Sequence, residues 1–167
     1  MLIDYFDSPA LITNNKVNVV CAQLSKVQPL VTSLHKNKLS LKKITTEEFA
    51  FATLLNDFDG PQLLICQQPN EEVLVLIVRD RQIFSYRRIR GMANIGRRSV
   101  DELSAGLIDK LSIEIQKSID YFERQLKQAP VKMIHVLLPV EQESFIARKL
   151  SENTHLPVDL LALPEPY

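Results

Sequence analysis

Cysteine is scarce, charge of either sign is in no excess, and no long apolar run occurs in these 167 residues. Each shortage excludes something. Cys21 and Cys66 lie far apart in apolar stretches, with no CxxC or histidine spacing. That pattern fits buried free thiols in a reducing, cytoplasmic compartment and argues against a disulfide framework. Lys plus Arg and Asp plus Glu stand at 20 each, so no overall field draws the chain to nucleic acid or an anionic membrane. Any such binding needs a local patch. No stretch reaches the roughly 18 apolar residues of a bilayer span, and no secretory signal is visible. His35, His135 and His155 share no ligand spacing, so no metal site is expected. No serine sits in a Gly-x-Ser-x-Gly elbow, so no catalytic nucleophile is expected either.

What is present is a strand-rich centre at residues 63–90, read as strands 63–66, 73–78 and 82–88. The middle run, Val73-Leu74-Val75-Leu76-Ile77-Val78, is apolar without alternation, which suits a central strand covered on both faces. Asp80-Arg81 is a tight connection for an antiparallel hairpin, although it lacks the glycine that favours a type I′ turn. Gln67-Gln68-Pro69-Asn70-Glu71-Glu72 links the first two strands.

Upstream, residues 1–6 read as a strand that begins abruptly before a Ser8-Pro9 turn, as in a fragment of a two-domain protein. A strand at 17–22 follows, then a helix at 26–38 with Val27, Leu30, Val31 and Leu34 at helical spacing and Pro29 near its first turn. Residues 39–44 alternate with period two, as a strand would. A helix at 47–56, capped by Thr45 or Thr46, turns Phe49, Ala52 and Leu55 inward, with Phe51 and Leu54 beside them. Asp59-Gly60-Pro61 breaks it, dividing the chain into a small α/β subdomain at 1–60 and a second domain at 61–167.

Downstream, 91–98 is a polar connection. Ser99-Val100-Asp101-Glu102 has the form of a capping box and opens a long helix through Leu103, Leu107, Leu111, Ile115, Ile119, Phe122 and Leu126. A buried strand at 132–138, a helix at 141–152 with Phe145, Ile146 and Leu150 inward, and a strand at 157–161 complete the chain. The second segment is therefore βββαβαβ, a mixed-sheet order shared by ribonuclease H-like and actin-like α/β folds. A ribonuclease H-type nuclease needs carboxylates on its strands to hold divalent metal. Strand 63–66 carries none, and Glu71 and Glu72 read as a solvated turn.

Asp4-Tyr5, the strand at 17–22, the helix to Lys38, residues 39–49, the run Ile83-Phe84-Ser85-Tyr86-Arg87-Arg88-Ile89-Arg90-Gly91 and Asp120-Tyr121-Phe122 together resemble the PilM family of type IV pilus assembly proteins. Within it they are most similar to the MshI proteins of mannose-sensitive haemagglutinin (MSHA) pilus biogenesis. The resemblance implies an actin-like fold peripheral to the cytoplasmic side of the inner membrane. It also implies a scaffold that docks the tail of a PilN-like membrane protein, with an apolar groove for that tail in residues 1–56. A homodimer is left open.

The chain departs from the family where an actin-like ATPase would hold phosphate. An Asp-Ile-Gly type motif is replaced by Cys66 and the 67–72 loop, with no glycine and two acids. Gln67, Gln68 and Asn70 are thus vestigial phosphate-loop positions. The adenosine-side loop reads Pro139-Val140-Glu141-Gln142, without glycine, and a first-domain phosphate loop would lie upstream of Met1. The expectation is no cofactor, no catalytic residue and no metal, as in the related type II secretion protein GspL. The alternative is an actin-like ATPase completed by an N-terminal domain.

Arg79, Arg81, Arg87, Arg88, Arg90, Arg97 and Arg98 form the basic concentration of the chain. On a regular strand Arg88 and Arg90 share a face with Phe84 and Tyr86, a surface that could stack single-stranded nucleic acid. A solvated edge or a contact for an acidic protein partner is the preferred reading, so nucleic acid is not among the expected partners.

Overall fold

The computed structural model describes residues 1–7, 9, 17–138 and 142–163. The chain divides into two compact units, Met1–Glu47 and Glu48–Tyr167. The division falls upstream of the Gly60-Pro61 break, because the residues just before that break pack on the larger unit: Ala52 and Leu55 are buried there, with Phe49, Phe51 and Phe58 against them.

In the first unit, strands β1 (Leu2–Asp7) and β2 (Val17–Ala22) form an antiparallel ribbon in the register Leu2↔Ala22 to Asp7↔Val17. Helix α1 (Leu24–Lys36) follows, two residues earlier than its spacing suggested. Pro29 therefore lies inside the helix, in its second turn, where it removes one backbone donor. The strand expected at 39–44 does not form. Alternation is not enough for a strand, which needs a ladder partner, and the only pairing of the unit among the described residues is β1 with β2. Cys21, expected to be buried, is exposed on the ribbon. The Ser8-Pro9 turn includes Ser8, outside the described residues.

The second unit begins within helix α2 (Glu47–Ala52), which tightens into a single turn at Thr53–Leu55. Its sheet has the order β5-β4-β3-β6-β7, where β3 is Gln62–Cys66, β4 Val73–Arg79, β5 Gln82–Ile89, β6 Met133–Leu137 and β7 Val158–Leu160. β4 runs antiparallel to both β3 and β5, whereas β6 runs parallel to β3 and β7 parallel to β6. This is the βββαβαβ arrangement anticipated from the sequence. Every residue of β3 is buried, and so is β4 from Val73 to Val78. The reason is that both sheet faces are covered. Val73, Val75 and Ile77 pack toward Leu111, Ile115 and Phe122, while Leu74, Leu76 and Val78 pack toward Ala52 and Leu55. Full burial of each such aliphatic side chain contributes roughly 1.5–3 kcal/mol of transfer free energy.

The hairpin between β4 and β5 closes with Asp80 at φ 51° and Arg81 at φ 62°. Two positive φ values are the signature of a type I′ turn, adopted here without glycine. A left-handed residue with a Cβ is strained, so Arg81→Gly is expected to stabilise the fold by about 0.5–1 kcal/mol, after allowing for the greater freedom of glycine in the unfolded chain. Calorimetric melting would show this as a rise in Tm of about 2 °C or more.

The connection at 91–98 is less polar than its sequence, since Met92 and Ile95 are buried in the core. The capping box at Ser99 is present: Glu102 N–H donates to Ser99 Oγ at 3.2 Å, and Ser99 N–H donates to Glu102 Oε2 at 2.9 Å. The helix it opens is not continuous. After α3 (Val100–Glu102) the chain widens through Leu103–Leu107, where Gly106 has φ 110°, before α4 (Ile108–Asp120). A second wide turn, Tyr121–Gln125, follows α4 and buries Phe122. The last helix, α5 (Glu143–Thr154), buries Ile146, Ala147 and Leu150; Phe145 is only partly buried. Residues 139–141, including Glu141, lie outside the described residues.

Candidate functional site

The loop after β3 is where an actin-like nucleotide site would contact phosphate, and the larger unit spends its polar groups there on itself. Gln67 is almost fully buried, and its side-chain amide donates to the carbonyls of Glu71 at 2.7 Å and Met92 at 2.8 Å. Glu71 N–H donates to Gln68 O at 3.1 Å, and Asn70 takes a left-handed φ of 67°, which closes a tight turn. Glu72 is not a solvated turn residue. Its Oε1 accepts from Gly91 N–H at 2.9 Å and its Oε2 from Met92 N–H at 2.7 Å. One carboxylate thus clasps two successive backbone donors at the end of β5. Gly91 makes this possible with φ 78°, and a Cβ there would lie 3.1 Å from the Lys110 ammonium nitrogen. A shallow cleft of about 170 Å³ remains beside the loop, lined by Gln67, Gln68, Pro69, Asn94, Gly96 and Arg97. Gln67, Gln68 and Asn70 are therefore brought into one turn, with the Gln67 amide directed inward.

On the sheet face that packs against α2, the structure assembles a polar chain that sequence spacing did not reveal. His135, fully buried on β6, faces Gln62 Oε1 through Nε2 at 3.0 Å, and Gln62 donates to Asp59 O at 2.8 Å. The His135 Nδ1 atom has no hydrogen-bond partner among the described residues; the nearest carboxylate oxygen, Asp159 Oδ2, is 3.9 Å away. The Phe58 ring covers the imidazole at 4.3 Å between centroids. Burial pushes the His135 pKa down, against a smaller upward pull from Asp159. The fold therefore holds a neutral ring. Protons then favour the unfolded chain, whose histidine titrates near pH ~6.5. The stability from this site is complete above that pH and lost as the pH falls below it toward the lower folded value, at up to about 1.4 kcal/mol per pH unit for one proton. Urea midpoints measured between pH 8 and 5 are expected to show this acid limb, with His135→Gln flattening it. Cys66, on the same face, has its thiol pushed up to about 12, first by burial and then by the Glu48 carboxylate. That makes it a packing residue rather than a nucleophile.

The basic concentration is dispersed by a β-bulge. Ile77 pairs with Ser85 but Val78 pairs with Ile83, so Phe84 is the extra residue of β5. Phe84 consequently falls on the α4 face, edge-on to Phe122 at 5.6 Å, whereas Tyr86 and Arg88 lie on the opposite face, beside Leu76 and Leu74. The face expected from a regular strand therefore loses Phe84, while Tyr86 and Arg88 remain together on it. Arg87 is also withdrawn, donating to Glu114 Oε2 at 2.7 Å, Glu114 O at 2.6 Å and Ser118 Oγ at 2.9 Å. Hydrogen bonds from Lys117 and then Arg87 hold the Glu114 carboxyl below its usual range. No group of three or more His, Cys, Asp or Glu residues among those described could hold a metal ion. Nor is any described helix long and apolar enough to cross a membrane.

No protein-family profile matches the chain, and no curated protein sequence does. Solved structures do. A PilM-PilN type IV pilus biogenesis complex aligns with a TM-score of 0.64 at 14% identity, over 95% of this chain and 55% of that one. The ethanolamine utilization protein EutJ from Carboxydothermus hydrogenoformans aligns with a TM-score of 0.56 at 10% identity, over 84% of this chain and 57% of that one. The chain thus spans just over half the length of either structure. Identities this low establish the fold, and with the βββαβαβ sheet they show that the chain carries an actin-like α/β fold of the PilM and EutJ kind.

Proposed function

We propose that the chain is a non-catalytic, actin-like scaffold of a type IV pilus assembly platform, of the MSHA type and MshI-like, working through protein contacts at the cytoplasmic face of the inner membrane. The observation that carries the reading is the closed loop between β3 and β4. An actin-like nucleotide site requires backbone donors left open for phosphate and glycines for close approach. Here the loop has no glycine, Gln67 is committed to two carbonyls, and the Glu72 carboxylate takes the Gly91 and Met92 donors while adding negative charge. These residues do not fit a triphosphate. The likeness to a PilM-PilN complex over 95% of the chain supports the pilus assignment and a PilN-like partner tail.

The first unit offers such a tail a surface of a different kind from the groove anticipated in residues 1–56. The depression of about 440 Å³ along α1 is lined mostly by polar groups, Ser25, Gln28, Thr32, Ser33 and Lys36 beside Pro29. One face of the ribbon is apolar and exposed, with the pairs Ile3↔Cys21 and Tyr5↔Val19 adjoining Val17. Calorimetric titration with the N-terminal peptide of a PilN-like protein is expected to give micromolar binding, weakened at least tenfold by Tyr5→Asp. An absence of heat at high micromolar peptide would overturn the reading. MgATP is expected to give none; saturable MgATP binding, to this chain or to one extended upstream of Met1, would favour the ATPase alternative.

A further inference from the structure

We infer that the outer edge of β5 is a docking edge for an extended acidic polypeptide segment, independently of any tail bound by the first unit. β5 is the end strand of the sheet, and among the described residues no strand pairs with its outer side. Beyond the Phe84 bulge it runs regularly from Ser85 to Ile89, which at about 3.3 Å per residue presents ~16 Å of ladder. Such an edge is an open template for one more strand.

Charge selects the occupant. Arg81 before the strand and Arg90 after it are exposed, and neither side chain has an ion-pair partner among the described residues. Arg88, between them, has partners of its own, Glu71 among them at 3.8 Å. A strand lying along Ser85–Ile89 would place its own side chains beside these guanidinium groups, which favours carboxylates. A second copy of this chain fits poorly, because β5 against β5 brings arginines of both copies together. Nucleic acid fits poorly as well. Its stacking platform is broken by the bulge, which leaves Tyr86 as the exposed aromatic ring of β5, and it has no backbone to complete a β-ladder. The same arginines could simply discourage edge-to-edge aggregation. The two roles differ in whether a complementary strand binds.

The test is a backbone-amide NMR titration of the whole chain with a short, acetylated and amidated peptide of alternating Glu and Val. The expected result is saturable binding in the sub-millimolar range, with shifts concentrated at Ser85–Ile89 and slowed exchange of their outward amides. Affinity should fall at least tenfold in Arg81→Glu with Arg90→Glu, two exposed positions whose replacement spares the core. The same peptide with Lys for Glu, or with Pro for Val, should not bind. No saturation at millimolar peptide, equal binding of the proline version, shifts away from β5, or tighter binding of an oligonucleotide at these residues would each overturn the assignment.

Discussion

Phe122→Ala is expected to destabilise the larger unit by about 3–5 kcal/mol. Phe122 is fully buried in the wide turn after α4, where Leu126 N–H bonds back to Tyr121 O at 3.0 Å and Gln128 N–H to Phe122 O at 3.3 Å. Its ring meets Phe84 edge-on, at 5.6 Å and an interplanar angle of 87°. Truncation therefore leaves a cavity against the sheet and removes an aromatic pair worth about 0.5–1.5 kcal/mol beyond its area. It also strips the support from the bulge residue that sets which face each later β5 side chain occupies. Domains of this kind carry roughly 5–15 kcal/mol in total, so the loss is a large share of the margin and should lower the urea midpoint strongly. Urea denaturation provides the measurement, and Phe122→Leu, which keeps most of the volume, should lose less than half as much. A loss below about 1.5 kcal/mol for the alanine variant would mean that the turn collapses onto the cavity and that the ring does not hold the bulge.

That pair of rings also shows where the sequence stops being legible. β4 could be read directly because an unbroken apolar run has one economical environment, a strand covered on both faces. The Ser99–Glu102 capping box was equally local, its partners three residues apart. The bulge was not, because nothing in Ile83-Phe84-Ser85 marks which residue will be left out of the ladder. The residue left out, Phe84, packs on Phe122, far along the chain. The interrupted helix had a faint signal in Gly106, outweighed in a periodicity reading by the leucines around it. The period-two run at 39–44 failed for the opposite reason, as a local pattern without a partner strand among the described residues. The candidate site divides in the same way. The missing glycines were visible, but the inward turn of Gln67 and the His135–Gln62 contact join residues that only the sheet brings together.

Glu72 is the second residue whose loss should be large. A carboxylate that accepts two backbone hydrogen bonds at 2.9 and 2.7 Å is worth more than a neutral acceptor, about 1.5–3 kcal/mol per charge-assisted bond at the upper end. Part of this is screened, because the group is only partly buried and the Gly91 amide lies near solvent. Glu72→Ala is therefore expected to cost about 2 kcal/mol in urea denaturation. Its distinguishing effect is local: hydrogen exchange should accelerate at the Gly91 and Met92 amides well beyond the global change, while the amides of β3 and β4 follow global stability. Glu72→Gln retains a single carbonyl acceptor and should fall between the two. The clasp ties the end of β5 to the loop before β4, and Met92 O in turn receives the Gln67 amide. Loss of the carboxylate should therefore loosen Gln67 as well, visible as broadening of its side-chain amide resonances. If Gly91 and Met92 exchange no faster than their neighbours, the carboxylate is incidental. The closed loop would then rest on Gln67 alone, and Gln67→Leu, not Glu72→Ala, would be the substitution that opens it.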